Sequence, residues 1–202
     1  MEVEKNVSVV VLAAGNSTRM TSPKPLLKWD KSLTFIEKII DTYYFFGCNN
    51  IILVFNSEVC KLFHQKYPNY NKDNKLKIVI NEYPQFERFY SIKKGIAMCG
   101  NNKLCFIQNV DNPFVNNLIL NSLYSNIGTN DYCVPTYNDY GGHPVLINSK
   151  VINSINNTKE NHLKFNEFLG QFHRKNIITE DKTILYNINT PEDYNKMINI
   201  KI

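Results

Sequence analysis

Two fixed positive charges, Arg19 and Lys24, stand five residues apart just beyond an Ala13-Ala14-Gly15 turn. Ahead of the turn runs Val7-Ser8-Val9-Val10-Val11-Leu12, a nearly unbroken β-branched stretch that predicts a strand buried on both faces. Where such a strand gives out into glycine, the main chain can meet a ligand with no side chain in between. Backbone N–H groups of the polar residues Asn16, Ser17 and Thr18 can cradle phosphate oxygens, and the two cations can neutralise them. The stretch therefore reads as an anion-binding loop on a strand end. It lacks the three glycines of the dinucleotide fingerprint and the Gly-Lys-Ser/Thr ending of a P-loop, which argues against a nicotinamide dehydrogenase.

A carboxylate, Asp111, follows another apolar run in Asn109-Val110-Asp111-Asn112-Pro113. Magnesium asks for only one or two carboxylates beside phosphates and water, so one aspartate at the strand ends can bring it to a triphosphate. The competing reading is a helix-start residue, but Asn112 is the better N-cap, with Pro113 at the first helical position. Farther on, Asn189-Thr190-Pro191-Glu192-Asp193 reads as a helix start, with Thr190 as N-cap and Asp193 at the capping-box position. Helix-start chemistry leaves Asn189 without a task. Ser91 stands near the start of a predicted helix, where a serine is most often a cap. In Gly141-Gly142-His143-Pro144 the glycines let backbone approach a ligand and His143 could touch it; a histidine locking a turn is the slightly preferred alternative. His64, His162 and His173 have no partner at metal-ligand spacing and read as surface residues.

The elements that must position these residues alternate. Apolar periodicity predicts helices over 33–46, 58–67, 89–98 and 114–124, and strands over 51–55, 76–80 and 103–108. Short strands alternating with helices are the pattern of a doubly wound, mostly parallel α/β sheet, Rossmann-like in build. After Asn130 the rhythm changes. Strands at 132–135 and 144–147, joined by a polar stretch, suggest a small antiparallel excursion over the carboxyl ends of the first strands, where open α/β sheets bind ligands. Helices at 148–155 and 163–172, a last strand near 183–188 and a final helix from Thr190-Pro191 complete the expectation.

The chain has 202 residues, 43% hydrophobic and 20% charged, which suits a single domain over 1–202 with a sizeable core. Its net charge of +5 is spread over scattered lysines. That favours an anionic small molecule over nucleic acid, for which no reading motif is present. Five dispersed cysteines read as reduced, buried thiols of a cytoplasmic protein. The acidic first residues and the short apolar run behind them are neither a signal peptide nor a membrane span.

Leu12-Ala-Ala-Gly-Asn-Ser-Thr-Arg-Met20 followed by Pro23-Lys24 resembles the signature loop of the MobA-like NTP transferase family. Within it, the chain is most similar to the nucleotidyltransferases that add guanylyl or cytidylyl groups to the molybdenum cofactor. The likeness extends through Asn81–Ile92, Asp111-Asn-Pro113, Gly-His-Pro-Val at 142–145 and Asn187-Ile-Asn-Thr-Pro191, in the same order. It implies magnesium-dependent transfer of a nucleoside monophosphate from a triphosphate, CTP or GTP, to a phosphorylated acceptor such as molybdopterin, with pyrophosphate leaving. Carried over residue by residue, it makes Arg19, Lys24 and Asp111 catalytic. Leu12, Ala13, Ala14, Gly15, Asn16, Ser17, Arg19, Lys24, Asn81 and Ser91 bind the nucleotide, with Ser91 facing the base. Asp111 and Asn189 hold Mg2+, and Gly142 and His143 meet the acceptor. Partners are then the triphosphate and the acceptor, with a homodimer also open and neither nucleic acid nor membrane expected. The sequence departs from the family at Thr21, where glycine is usual, and at Glu87-Arg88, where relatives have Gly-Met; Asn189 is neutral where many members have aspartate. A sugar-phosphate or alcohol-phosphate nucleotidyltransferase, or a nucleotide-binding regulator without catalysis, are the alternatives.

Overall fold

The computed structural model describes residues 4–15, 19, 20, 22–70, 72 and 74–201. Strand β1 (Lys5–Ala13) lies between β2 (Cys48–Phe55) and β4 (Leu104–Asn109), parallel to both, and β3 (Leu76–Ile80) adds in parallel to β2. This burial on both sides is the physical reason for the valine run. Val7, Val9 and Val11 enter the apolar cluster on one face of the sheet, and Val10 and Leu12 the cluster on the other. Helices α1 (Phe35–Phe46), α2 (Ser57–Lys66), α4 (Asn117–Asn126) and α7 (Pro191–Lys201) cover the first face. Helices α3 (Glu87–Ile96), α5 (Ser149–Asn157) and α6 (Phe165–Leu169) cover the second, so the sheet is doubly wound as the sequence implies.

The antiparallel strands differ from the expectation in place. β5 (Tyr132–Tyr137), β6 (Tyr140–Gly141) and β7 (Val145–Asn148) extend the same eight-stranded sheet instead of lying over its strand ends. β7 pairs antiparallel with β4 and β5, and β8 (Arg174–Ile178) pairs parallel with β5. The segment 183–188 is not the last strand; it holds a 3-10 turn, Lys182–Leu185, and β8 is the last strand. The helix after Asp111 starts later than expected, at Asn117, with the Asn116 side chain accepting from Ile119 N at 3.0 Å. Asn112 is therefore not a cap. Its amide donates to the carbonyls of Thr183 and Ile184, 3.2 and 2.9 Å away, and ties the end of β4 to the 3-10 turn. All five cysteines are free and buried.

Helix α3 lies close enough to the sheet that a Cβ on Gly95 would collide with Val10 Cγ1. Neither side can retreat in a close-packed interior, so Gly95→Ala should lower stability by about 1–3 kcal/mol despite alanine's better helix propensity. Urea unfolding measures it as an earlier midpoint at unchanged slope; an unmoved midpoint would mean that α3 is free to shift.

Candidate active site

At the carboxyl end of β1 the chain leaves the sheet through Ala14 and Gly15. The Ala14 carbonyl accepts from Asn56 Nδ2 at 3.2 Å, and the Asn56 side chain also caps α2 by accepting from Val59 N at 2.8 Å. Among the described residues a Cβ on Gly15 would meet nothing within 4 Å, so their packing does not demand glycine there. What glycine leaves open is the approach from outside. Next to it, Pro23 runs extended into a 3-10 turn, Lys24–Leu26, with Pro25 buried.

Lys24 then reaches across the strand ends. Its Nζ donates to Asn189 Oδ1 at 2.7 Å and stands 3.7 Å from Asp111 Oδ2. Burial pulls the Lys24 pKa below its usual range, opposed by Asp111 and reinforced by Arg19. Burial likewise pushes the Asp111 carboxyl upward, offset in part by Lys24 and Arg88. Each charge is thus poorly solvated and only partly compensated by the other. Asp111 Oδ1 is buried and has no hydrogen-bond partner. An orphaned carboxylate oxygen, with the Asn189 amide oxygen bonded to the same lysine that Asp111 pairs with, is a donor set that fits a hard cation completed by phosphates and water. Among the described residues no cluster of three or more His, Cys, Asp or Glu could hold a metal by itself, so such an ion would need the ligand's oxygens. Asn189 is held for this position by the start of α7. Asp193 Oδ2 accepts from the N–H groups of Asn189 and Thr190 at 3.0 and 2.9 Å, and Thr190 Oγ1 accepts from Asp193 N at 3.2 Å.

A cleft of about 270 Å³ opens between these elements. Of the residues singled out in the sequence, Leu12, Ala13, Ala14, Gly15, Lys24, Asn81, Ser91 and Asp111 line it. Ser91 lies inside α3 and does not cap it; its hydroxyl accepts from Asn81 Nδ2 at 2.9 Å, and both residues are buried. Arg19 is exposed and outside the lining, within electrostatic range of Lys24. Asn16, Ser17 and Thr21 lie outside the described residues. Arg88 and Asn109 also line the cleft and had not been singled out as site residues. The signal for Arg88 was present: it precedes Ser91 by one helical turn, which puts the two on one face.

Gly142 and His143 line a neighbouring cavity. A Cβ on Gly142 would meet Ile184 O at 2.5 Å, so close packing explains this glycine. The His143 main-chain N–H donates to Ile184 O at 3.0 Å, and its ring Nε2 is 2.9 Å from Asn109 Nδ2. An amide NH2 can only donate, so the ring proton sits on Nδ1, which is buried without a partner. Burial, reinforced by the Arg88 charge, lowers the His143 pKa to about 3.

A sequence model of the MobA-like NTP transferase domain matches residues 9–174. The chain belongs to that family. Its activity class is that of the family, a nucleotidyltransferase. The match ends before Asn189, which the fold nevertheless brings against Lys24. Among solved structures, the chain is similar to Rv0371c of Mycobacterium tuberculosis, with TM-score 0.78, 19% identity, and 96% of this chain and 98% of that one covered. A complex of Rv0371c with manganese is also known. HddC of Yersinia pseudotuberculosis, complexed with GMP-PN, has TM-score 0.72 and 18% identity over 96% and 99% of the two chains. Molybdopterin-guanine dinucleotide biosynthesis protein A of Archaeoglobus fulgidus has TM-score 0.69 and 18% identity over 96% and 100%. At such identities the likeness establishes a shared fold. No curated protein matches the sequence.

The His143 shift carries a stability signature. Unfolded, the ring takes up a proton as pH falls through about 6.5, whereas folded it stays neutral until about 3. The unfolded state then binds more protons, so this residue's contribution is complete above pH 6.5 and is lost progressively toward pH 3. Between pH 7 and pH 5 the loss is at most about 2 kcal/mol. Urea unfolding of His143→Gln at the two pH values should show a correspondingly shallower decline than the unmodified protein; equal declines would place the ring in water.

Proposed function

We propose that the protein transfers a nucleoside monophosphate from a nucleoside triphosphate to the phosphate of a small acceptor and releases pyrophosphate. The observation that carries the reading is the Lys24 ammonium held between Asn189 Oδ1 and Asp111 Oδ2 at the mouth of the glycine turn. The Leu12–Gly15 backbone approaches the triphosphate, and Lys24 with Arg19 neutralises it. An oxygen of the acceptor phosphate attacks the α-phosphorus in line. The new P–O bond forms as the bond from the α-phosphorus to the bridging oxygen breaks, and the electron pair leaves with pyrophosphate. No covalent enzyme intermediate is required; orientation and charge stabilisation lower the barrier. Asp111 and Asn189 would hold Mg2+, which when bound withdraws charge from the phosphoryl oxygens. Asn81 and Ser91, in the lining of the same cleft, suit the base edge.

CTP or GTP is the donor we favour, the latter supported by the GMP-PN complex of the Yersinia neighbour. Molybdopterin or a similar phosphorylated molecule is the favoured acceptor, supported by the Archaeoglobus neighbour; a sugar phosphate, in keeping with the breadth of the fold, is the second reading. Five free, buried thiols suit a reducing compartment such as the cytoplasm. Among the described residues no helix is long and apolar enough to cross a membrane.

Thermal unfolding with CTP, GTP, ATP and UTP, with and without magnesium, tests the site. One triphosphate at a hundred times its dissociation constant should add about 2.7 kcal/mol, only with the metal present. Asp111→Ala should abolish that gain, and Lys24→Ala should cut pyrophosphate release at least about a hundredfold. Full turnover in both variants would sink the assignment.

A further inference from the structure

Beside the nucleotide cleft lies a second cavity of about 260 Å³, and Arg88 is part of both walls. The second cavity is lined besides by Arg174, His143, Asn166 and Tyr132, and by no carboxylate among the described residues. Arg88 has no ion-pair partner among the described residues, and its Nε is buried without a hydrogen bond. Its guanidinium lies 5.7 Å from the centre of the Phe165 ring, and the charge it feels most is Asp111. The His143 Nδ1–H is a second buried donor without a partner. Arg174, bonded through Nε to Asn176 Oδ1 at 2.7 Å, lays its guanidinium over Gly141, where a Cβ would come within 2.7 Å of its terminal nitrogen. Buried donors left unpaired are costly, and the stock of such donors here is all of one kind. The cavity offers two guanidinium groups and N–H donors, and among the described residues its lining holds no carboxylate to neutralise a cation.

Resting on the transferase reading above, we propose that this second cavity binds the acceptor, a phosphate monoester whose other polar groups are hydrogen-bond acceptors. Arg88 is the specificity-determining cation that holds the acceptor phosphate between the two cavities, beside the α-phosphorus. Arg174 and His143 Nδ1–H receive the oxygen-rich body. Phosphate esters of cationic amino alcohols are rejected, because an ammonium in this cavity would face two guanidinium groups with no carboxylate in the lining among the described residues.

The test uses ribose 5-phosphate and phosphocholine as probes, titrated calorimetrically into the protein alone and into protein saturated with magnesium and a non-hydrolysable triphosphate. Ribose 5-phosphate should bind in both states, and at least about tenfold more tightly than phosphocholine, the loss of one charge-assisted contact being worth about that factor. Arg88→Gln should weaken it at least about tenfold and Arg174→Gln severalfold, with Arg88→Lys intermediate, while Arg174→Gln leaves the nucleotide affinity unchanged. The melting temperature of ligand-free Arg88→Gln should stay level or rise, since a merely structural arginine would lower it. Competition between sugar phosphate and nucleotide, equal binding of phosphocholine, or unchanged binding in both arginine variants would overturn the proposal. Failure of the transferase reading looks different: the triphosphate itself does not bind, while the sugar phosphate titration into the protein alone still reports on Arg88.

Discussion

Lys24 and Asp111 are each only partly exposed, stand 3.7 Å apart, and are pulled by burial away from their charged forms. Charges taken out of water are tolerated when hydrogen bonds replace the lost solvation, and here the replacement is incomplete. Asn189 accepts from the ammonium, yet one oxygen of Asp111 has no hydrogen-bond partner. A triphosphate would add anionic oxygens beside Lys24, and a divalent cation would meet the unpartnered oxygen of Asp111. The ends of β1 and β4 and the segment before α7 thus bring together a lysine, an amide oxygen and a carboxylate with one oxygen unpartnered.

Polar closure between loops does the holding. Four hydrogen bonds fasten the segment 183–189 to the strand ends: Ile188 N to Asp111 O at 2.8 Å, His143 N to Ile184 O at 3.0 Å, and the Asn112 amide to the carbonyls of Thr183 and Ile184. Gln108, fully buried, accepts from Tyr43 Oη at 2.9 Å and donates to the carbonyls of Asn109 and Asn112. The loop that carries Asp111 is thus tied to the core by Gln108, and also by Val110, which is buried and donates its N–H to Leu12 O at 3.1 Å. Its far side braces a segment that pairs with no strand. A rigid support of this kind suits chemistry that depends on orientation.

Arg88 and His143 repeat the same logic one step away. Both keep a buried N–H without a partner; Arg88 lines both cavities, and His143 of the second is bonded to Asn109 of the first. Glu87-Arg88 is, in the sequence, a departure from the Gly-Met of the family it resembles. In the fold, Ser91 keeps its place against Asn81, and Arg88 brings a charge to the border of the cleft.

The β-branched run of β1, the glycine turn behind it, the alternation of strands and helices through β4, and the Thr190–Asp193 helix start were all legible in the sequence. Each rests on short-range rules: a side-chain period, a backbone freedom, a cap three residues from its partner. Asp111 and Lys24 were legible as charges at strand ends for the same reason. Where the rules met competition, the reading failed. Asn112 looked like a cap because Pro113 follows it, and the structure spends its amide on carbonyls about seventy residues away. The apolar residues of 183–188 looked like a strand, but the sheet edge beside β5 is taken by β8. The pairing of Lys24 with Asn189 across 165 residues, and the sharing of Arg88 by two cavities, were decided only by the tertiary structure. Polar contacts between loops have no periodicity to announce them, since they depend on where separate elements come to rest against a common core.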